Sequence, residues 1–195
     1  MIDSIKFSQE VHQNAVAHGW WDPVPGFGQV IALCHAELSE ALEEYRSGRP
    51  LEWYACGVDK AVCVGAKCEY YGIKGECDYK KDKPEGVAVE LVDCLLRILD
   101  ALAYMNWEYP IKSRLFAIAD KNEFAECIAE MHLDLSNALL AEEIIHETPC
   151  IPLSNCAGKI IAWLEANYGE NWEELMYRKH EYNKNRPYRH GSKKA

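Results

Sequence analysis

Glu37, Glu40 and Glu44 follow one another at i, i+3 and i+7, and Glu90 and Asp93 repeat the i, i+3 step further along the chain. On a helix, such spacings place side chains along one stripe. Arg97 falls one turn beyond Asp93 on the same stripe. With the two helices packed antiparallel, four or five carboxylates would face one another across a groove. Carboxylates that close repel, so the cluster calls for a cation or for raised pKa values. An all-oxygen set suits Mg²⁺ or Mn²⁺ rather than Zn²⁺, and Mg²⁺ favours a few carboxylates completed by water and phosphate. The implied chemistry is hydrolysis at a phosphate ester or anhydride. The cation would neutralise the phosphates and acidify a bound water. A lone E-x-x-E is ordinarily a solvated helix face; two such stripes on successive helices, each beside an apolar face, say more.

Helices must carry these residues, and helical periodicity dominates the chain. Ser4 to His18 reads as a helix ended by Gly19. Phe27 to Ser47 is the clearest, with Ile31, Cys34, His35, Leu38, Leu42 and Tyr45 recurring at three- and four-residue steps before Gly48 and Pro50 stop it. Pro84 and Glu85 are expected to open a long helix reaching about Met105. Phe124 to His146, Leu153 to Tyr168 and Glu170 to about Lys184 complete the set, with Pro149 and Pro152 bracketing a turn. No alternating strand pattern stands out. The expected fold is all-α, a helical bundle in one domain over residues 1–195. Residues 51–83 form a cysteine-rich loop insertion, and residues 185–195 a basic tail.

The segment Ile31–Leu42 parallels Ile128–Leu139 at seven of twelve positions, with His35 matching His132 and Glu37 matching Asp134 at an offset of 97 residues. Asp93-Cys94 aligns with Asn155-Cys156, and Arg97 with Lys159. This predicts a duplicated helical hairpin whose second copy is degenerate.

The 195 residues carry a net charge of −10, with 49% hydrophobic and 27% charged residues, which places the chain in the globular range. The acidic balance argues against binding a nucleic acid polymer, which needs clustered Lys and Arg. It leaves small nucleotides open, because a bound metal reverses the sign of a site. Met1 to Lys6 has no apolar run of the kind a secretory signal needs. Val87 to Met105 is interrupted by Glu90, Asp93, Arg97 and Asp100, which excludes a simple membrane span. With an odd count of nine cysteines, a reducing cytoplasm is expected.

Two runs carry a family resemblance. Gly19-Trp20-Trp21, Phe27-Gly28-Gln29 and His35-Ala36-Glu37-Leu38-Ser39-Glu40-Ala41-Leu42-Glu43-Glu44-Tyr45-Arg46 form the first. Lys83-Pro84-Glu85-Gly86, Glu90-Leu91-Val92-Asp93 and Arg97-Ile98-Leu99-Asp100 form the second. They resemble the MazG-like branch of the all-α nucleoside triphosphate pyrophosphohydrolases, whose motif is E-E-x-x-E followed, after a variable spacer, by E-x-x-D. The resemblance implies Mg²⁺ (or Mn²⁺) held by Glu37, Glu40, Glu90 and Asp93, and release of a nucleoside monophosphate and pyrophosphate. Glu44 would be a base, a further ligand or a supporting contact. Ala36 stands where the family has the first Glu. The C-terminal run from Lys179 to Gly191 also resembles the tail of MazG-like proteins, which makes its Lys179, Tyr182, Asn183 and Arg186, with Arg97, candidates for substrate contact: cations for phosphates, Asn for base or sugar, Tyr for stacking. It implies a homodimer or higher oligomer, although a duplicated chain could supply that pairing internally. Base, sugar, and the choice between housecleaning and pool control stay open. Phosphoribosyl-ATP pyrophosphatase shares the metal motif.

Cys56, Cys63, Cys68 and Cys77 could bind structural Zn²⁺ as four thiolates in one loop, or be free thiols, since their spacing lacks a C-x-x-C knuckle. A rival to the enzyme reading is therefore a non-catalytic helical interaction module with a zinc-stabilised loop. Cys34, Cys94, Cys127 and Cys156 read as small core residues. His35 and His132 read as core histidines, and Trp20 and Trp21 as core or base-pocket residues.

Overall fold

A computed structural model describes residues 3–55, 62–63, 83–114 and 124–189, the side chains of 55, 62 and 63 excepted. Within them lie six α-helices: α1 (Ser4–Ala17), α2 (Phe27–Arg46), α3 (Val87–Tyr104), α4 (Phe124–Leu140), α5 (Cys150–Asn167) and α6 (Trp172–Lys184). A π-helical turn, Ala141–Ile145, extends α4. Asp3 caps α1 by accepting from the Lys6 N–H at 3.2 Å.

The all-α expectation holds for the bulk of the chain, with one addition. Three short strands, β1 (Trp53–Ala55), β2 (Val62–Cys63) and β3 (Pro84–Glu85), form a small antiparallel sheet in the order β2-β1-β3. Pro84 and Glu85 therefore pair with Tyr54 and Trp53 instead of opening a helix. The reason is Gly86, at φ +112°, in a backbone region that side chains disfavour. A Cβ there would lie 2.7 Å from the Leu51 carbonyl oxygen and 2.8 Å from that of Pro50. The close crossing lets the Ala88 N–H donate to Leu51 O at 3.0 Å and starts α3 at Val87. Gly86→Ala combines backbone strain with overpacking and is expected to cost about 2–4 kcal/mol; urea unfolding measures it. Pro152 lies inside the first turn of α5, where its missing N–H is tolerated, so that helix starts at Cys150, earlier than its prolines implied.

α3 is the central helix. Thirteen of its eighteen residues are buried, as expected of a helix covered on nearly all sides. It packs on α1, α2, α5 and α6, while α4 packs on α2 and α5. Burying α3 this deeply brings Glu90 into the interior at 3% exposure. Glu52, just before β1, accepts from the Tyr54 and Tyr168 hydroxyls and from Arg178 Nη2 at 2.6 Å. That carboxylate ties the segment leading into β1 to the end of α5 and to α6. No helix among the described residues is long and apolar enough to cross a membrane.

Candidate metal and substrate site

α2 and α3 pack together, and the i, i+3 spacing brings their carboxylates to one place. One oxygen each from Glu37, Glu40 and Glu90 lies within 4.8 Å of the others. Glu37 and Glu90 are buried and Glu40 is exposed, so the cluster spans the boundary between core and solvent. An all-oxygen carboxylate set is the kind Mg²⁺ prefers. Burial raises Glu90 to about 8, and neighbouring Asp93 pushes it the same way against Lys179 and Lys83. Burial also raises Glu37, Arg97 opposes this, and Asp93 and Glu40 add to it.

Asp93 lines the same cavity but pairs with Lys179, whose Nζ lies 2.8 Å from Asp93 Oδ2 and which is only 1% exposed. Arg97 Nε donates to Glu37 Oε1 at 2.7 Å. The cavity encloses about 340 Å³ between α1, α2, α3, α6 and the α1–α2 turn. Its acidic end is Glu37, Glu40, Glu90 and Asp93; elsewhere Trp20, Trp21, Pro25 and Leu33 give it an aromatic and apolar wall. Such a cavity can hold a ligand that is anionic at one end and flat and apolar at the other.

The predicted contact residues divide. Arg97, Asn183 and Arg186 line the cavity. Lys179 is not among the lining residues and lies behind Asp93, and Tyr182 sits against it with the ammonium 5.8 Å from its ring centre. Glu44 is also absent from the wall; its carboxylate takes the Trp53 indole N–H at 2.7 Å and Arg49 Nη1 at 3.2 Å. Cys56, Cys68 and Cys77 lie outside the described residues, as does the side chain of Cys63.

Several wall residues have no role assigned from the sequence, although Lys83 and Asp100 stand in the runs that carry the resemblance. Lys83 sits at the acidic end and bonds Glu85 at 2.8 Å. His180 and Asp100 also line the cavity. Asp100 fixes the aromatic wall: its Oδ1 meets His12 Nδ1 at 2.7 Å and takes the Trp21 indole N–H at 3.0 Å, while Trp21 stacks on Tyr104 at 4.2 Å. Aspartate and tryptophan so distant in sequence offer no local signal of this pairing. The C-terminal segment reaches back over the α1–α2 turn, with Arg189 donating to Gly19 O and Asp22 O and the His18 ring meeting Arg186 O at 3.0 Å.

The α4–α5 pair carries carboxylate–cation contacts of its own. Lys159 Nζ stands 2.9 Å from Asp134 Oδ2 and 3.2 Å from Glu130 Oε2. His35 and His132 meet directly, Nδ1 to Nδ1 at 2.6 Å with stacked rings. Ser39 Oγ donates to His35 O and Ser136 Oγ to His132 O, both at 2.9 Å. The buried Cys94 and Cys156 thiols also lie together.

At 2.6 Å, one imidazole of the pair must be a neutral acceptor. Burial lowers the pKa of both, and the His35 charge further lowers that of His132. Their contribution to stability is therefore full above the ordinary histidine pKa and lost as the pH falls through the depressed folded values. His132→Phe is expected to remove part of the acid sensitivity between pH 7.5 and pH 5, seen as a smaller drop in Tm than in the wild type. An equal drop would mean that the pair does not titrate as described.

No family model, no curated protein and no solved structure matches the chain.

Proposed function

We propose that the protein is a Mg²⁺-dependent nucleoside triphosphate pyrophosphohydrolase that releases a nucleoside monophosphate and pyrophosphate. The observation that carries this reading is the convergence of Glu37, Glu40 and Glu90 at the acidic end of a cavity whose other wall is aromatic. The motif resemblance supplies the reaction, and the cavity supplies a matching place for it. Glu37, Glu40 and Glu90 would hold the metal, with Asp93 joining after release from Lys179. A bound Mg²⁺ supplies charge neutralisation for the phosphates and a more acidic water. Arg97 and Arg186 present guanidinium donors to phosphate oxygens. Asn183 offers a polar contact to base or sugar, and Trp20 offers a face for stacking. Glu44, engaged by Trp53 and Arg49, would support the site from behind and not act as its base.

We also propose that the α2–α3 and α4–α5 pairs are duplicated hairpins related by an approximate two-fold axis. His35 meets His132, and Cys94 meets Cys156, each residue touching its own counterpart, as residues on such an axis do. The second copy holds Lys159 where the first holds Arg97, leaving one substrate site per chain.

A panel of canonical and modified nucleoside triphosphates, with phosphoribosyl-ATP included, tests the activity by pyrophosphate release with and without Mg²⁺. Turnover of a member only with metal supports the reading and identifies the base; no turnover of any member rejects it.

A further inference from the structure

We propose that Arg97 is an exchangeable placeholder for the metal: it occupies Glu37 until a divalent cation displaces it, and the freed guanidinium then becomes a phosphate clamp. This inference rests on the proposed function, whose substrate provides the phosphates.

Three carboxylate–cation pairs at the carboxylate stripes of α2, α3 and α4 differ in freedom. Lys159 is held by two carboxylates with its side chain 13% exposed. Lys179 is 1% exposed, behind Asp93. Arg97 alone among the three both lines the cavity and leaves 39% of its side chain exposed, while holding Glu37 at 2.7 Å. An ion entering among Glu37, Glu40 and Glu90 needs Glu37, which the guanidinium now engages. Two cations at one carboxylate repel, so entry favours the departure of Arg97. Its five donors and lack of acceptors fit phosphate oxygens at the same acidic end.

The cavity also contains polar groups without partners. His180 is 2% exposed, and its Nε2 makes no hydrogen bond; Asn183 Oδ1 is likewise buried and unpaired. Both residues line the cavity that Arg97 would turn into. Buried polar atoms left this way point to a ligand that completes them.

Displacement makes metal and polyphosphate binding cooperative. Metal entry frees the guanidinium, and polyphosphate rewards its release, so each ligand tightens the other. Two measurements on the full chain test this, neither involving turnover: calorimetric binding of Mn²⁺ alone, and of the Mn²⁺–pyrophosphate complex at saturating Mn²⁺. Arg97→Met is expected to bind Mn²⁺ alone about tenfold more tightly and Mn²⁺–pyrophosphate about tenfold more weakly, within the usual range of coupling between sites. Opposite signs are the signature, because a merely structural arginine would weaken both. Weakening of both, or Mn²⁺ affinity unchanged in the variant, overturns the proposal. Arg97→Gln is read the same way if the Met variant does not fold. Opposite signs with no triphosphate hydrolysed would leave the exchange standing and reject the proposed activity alone.

Discussion

Glu90→Gln is expected to stabilise the metal-free protein while abolishing its activity. Glu90 is 3% exposed, and burial raises it from the ordinary 4.5 to about 8, with Asp93 adding to the shift. A raised pKa means that the folded state holds the proton more tightly than the unfolded chain does. The stability tied to that proton is complete below pH 4.5 and is lost as the pH rises through about 8. A neutral amide of the same shape avoids the loss. The gain should be near zero at pH 4.5 and reach on the order of 3 kcal/mol at pH 8, several degrees in Tm. Mg²⁺ should then stabilise the wild type by mass action and leave the variant little changed. Urea unfolding at the two pH values checks this. A variant less stable than wild type at pH 8 would mean that Glu90 is satisfied as an anion without metal.

Glu40→Ala should show the complementary pattern. Glu40 is exposed on α2, so its loss should alter stability by no more than about 0.5 kcal/mol. It supplies one of the three converging oxygens, and even partners that only support a ligand cost 10- to 100-fold when removed. Triphosphate hydrolysis should therefore fall by about 100-fold or more. Steady-state kinetics at saturating Mg²⁺, with a melting curve of the same sample, separate the two effects. Activity within a few-fold of wild type would remove Glu40 from the metal site. Glu90 and Glu40 are both candidate ligands, yet their stability effects differ because only one is desolvated.

The parts legible in the sequence were those governed by local periodicity. The spacing of Glu37 and Glu40, and of Glu90 and Asp93, placed each pair on a helix stripe, and the apolar faces of α2 and α3 then brought the stripes together. The match of His35 to His132 picked out two equivalent positions but read them as core histidines; they are half-buried and meet each other, ring nitrogens 2.6 Å apart. The rest depended on distant partners. Glu44 shares the stripe by spacing, but Trp53 and Arg49, beyond the end of α2, hold its carboxylate. Pro84 and Glu85 resemble a helix start, but pairing with Trp53 and Tyr54 takes them into a strand. Lys179 reads as a cation for phosphates; only the packing of α6 on α3 buries it against Asp93 instead. Asp100 gives no local hint that it anchors His12 and Trp21.

The central claim is that the carboxylates of α2 and α3 hold a divalent cation for phosphoanhydride hydrolysis. Its most direct test is product analysis of the purified full chain with a panel of nucleoside triphosphates and Mg²⁺, alongside Glu37→Gln and a metal-chelated control. The account predicts equal amounts of monophosphate and pyrophosphate from at least one triphosphate, absent with chelator and strongly reduced in Glu37→Gln. Diphosphate and orthophosphate as products, turnover that survives chelation, or no turnover of any member would contradict it.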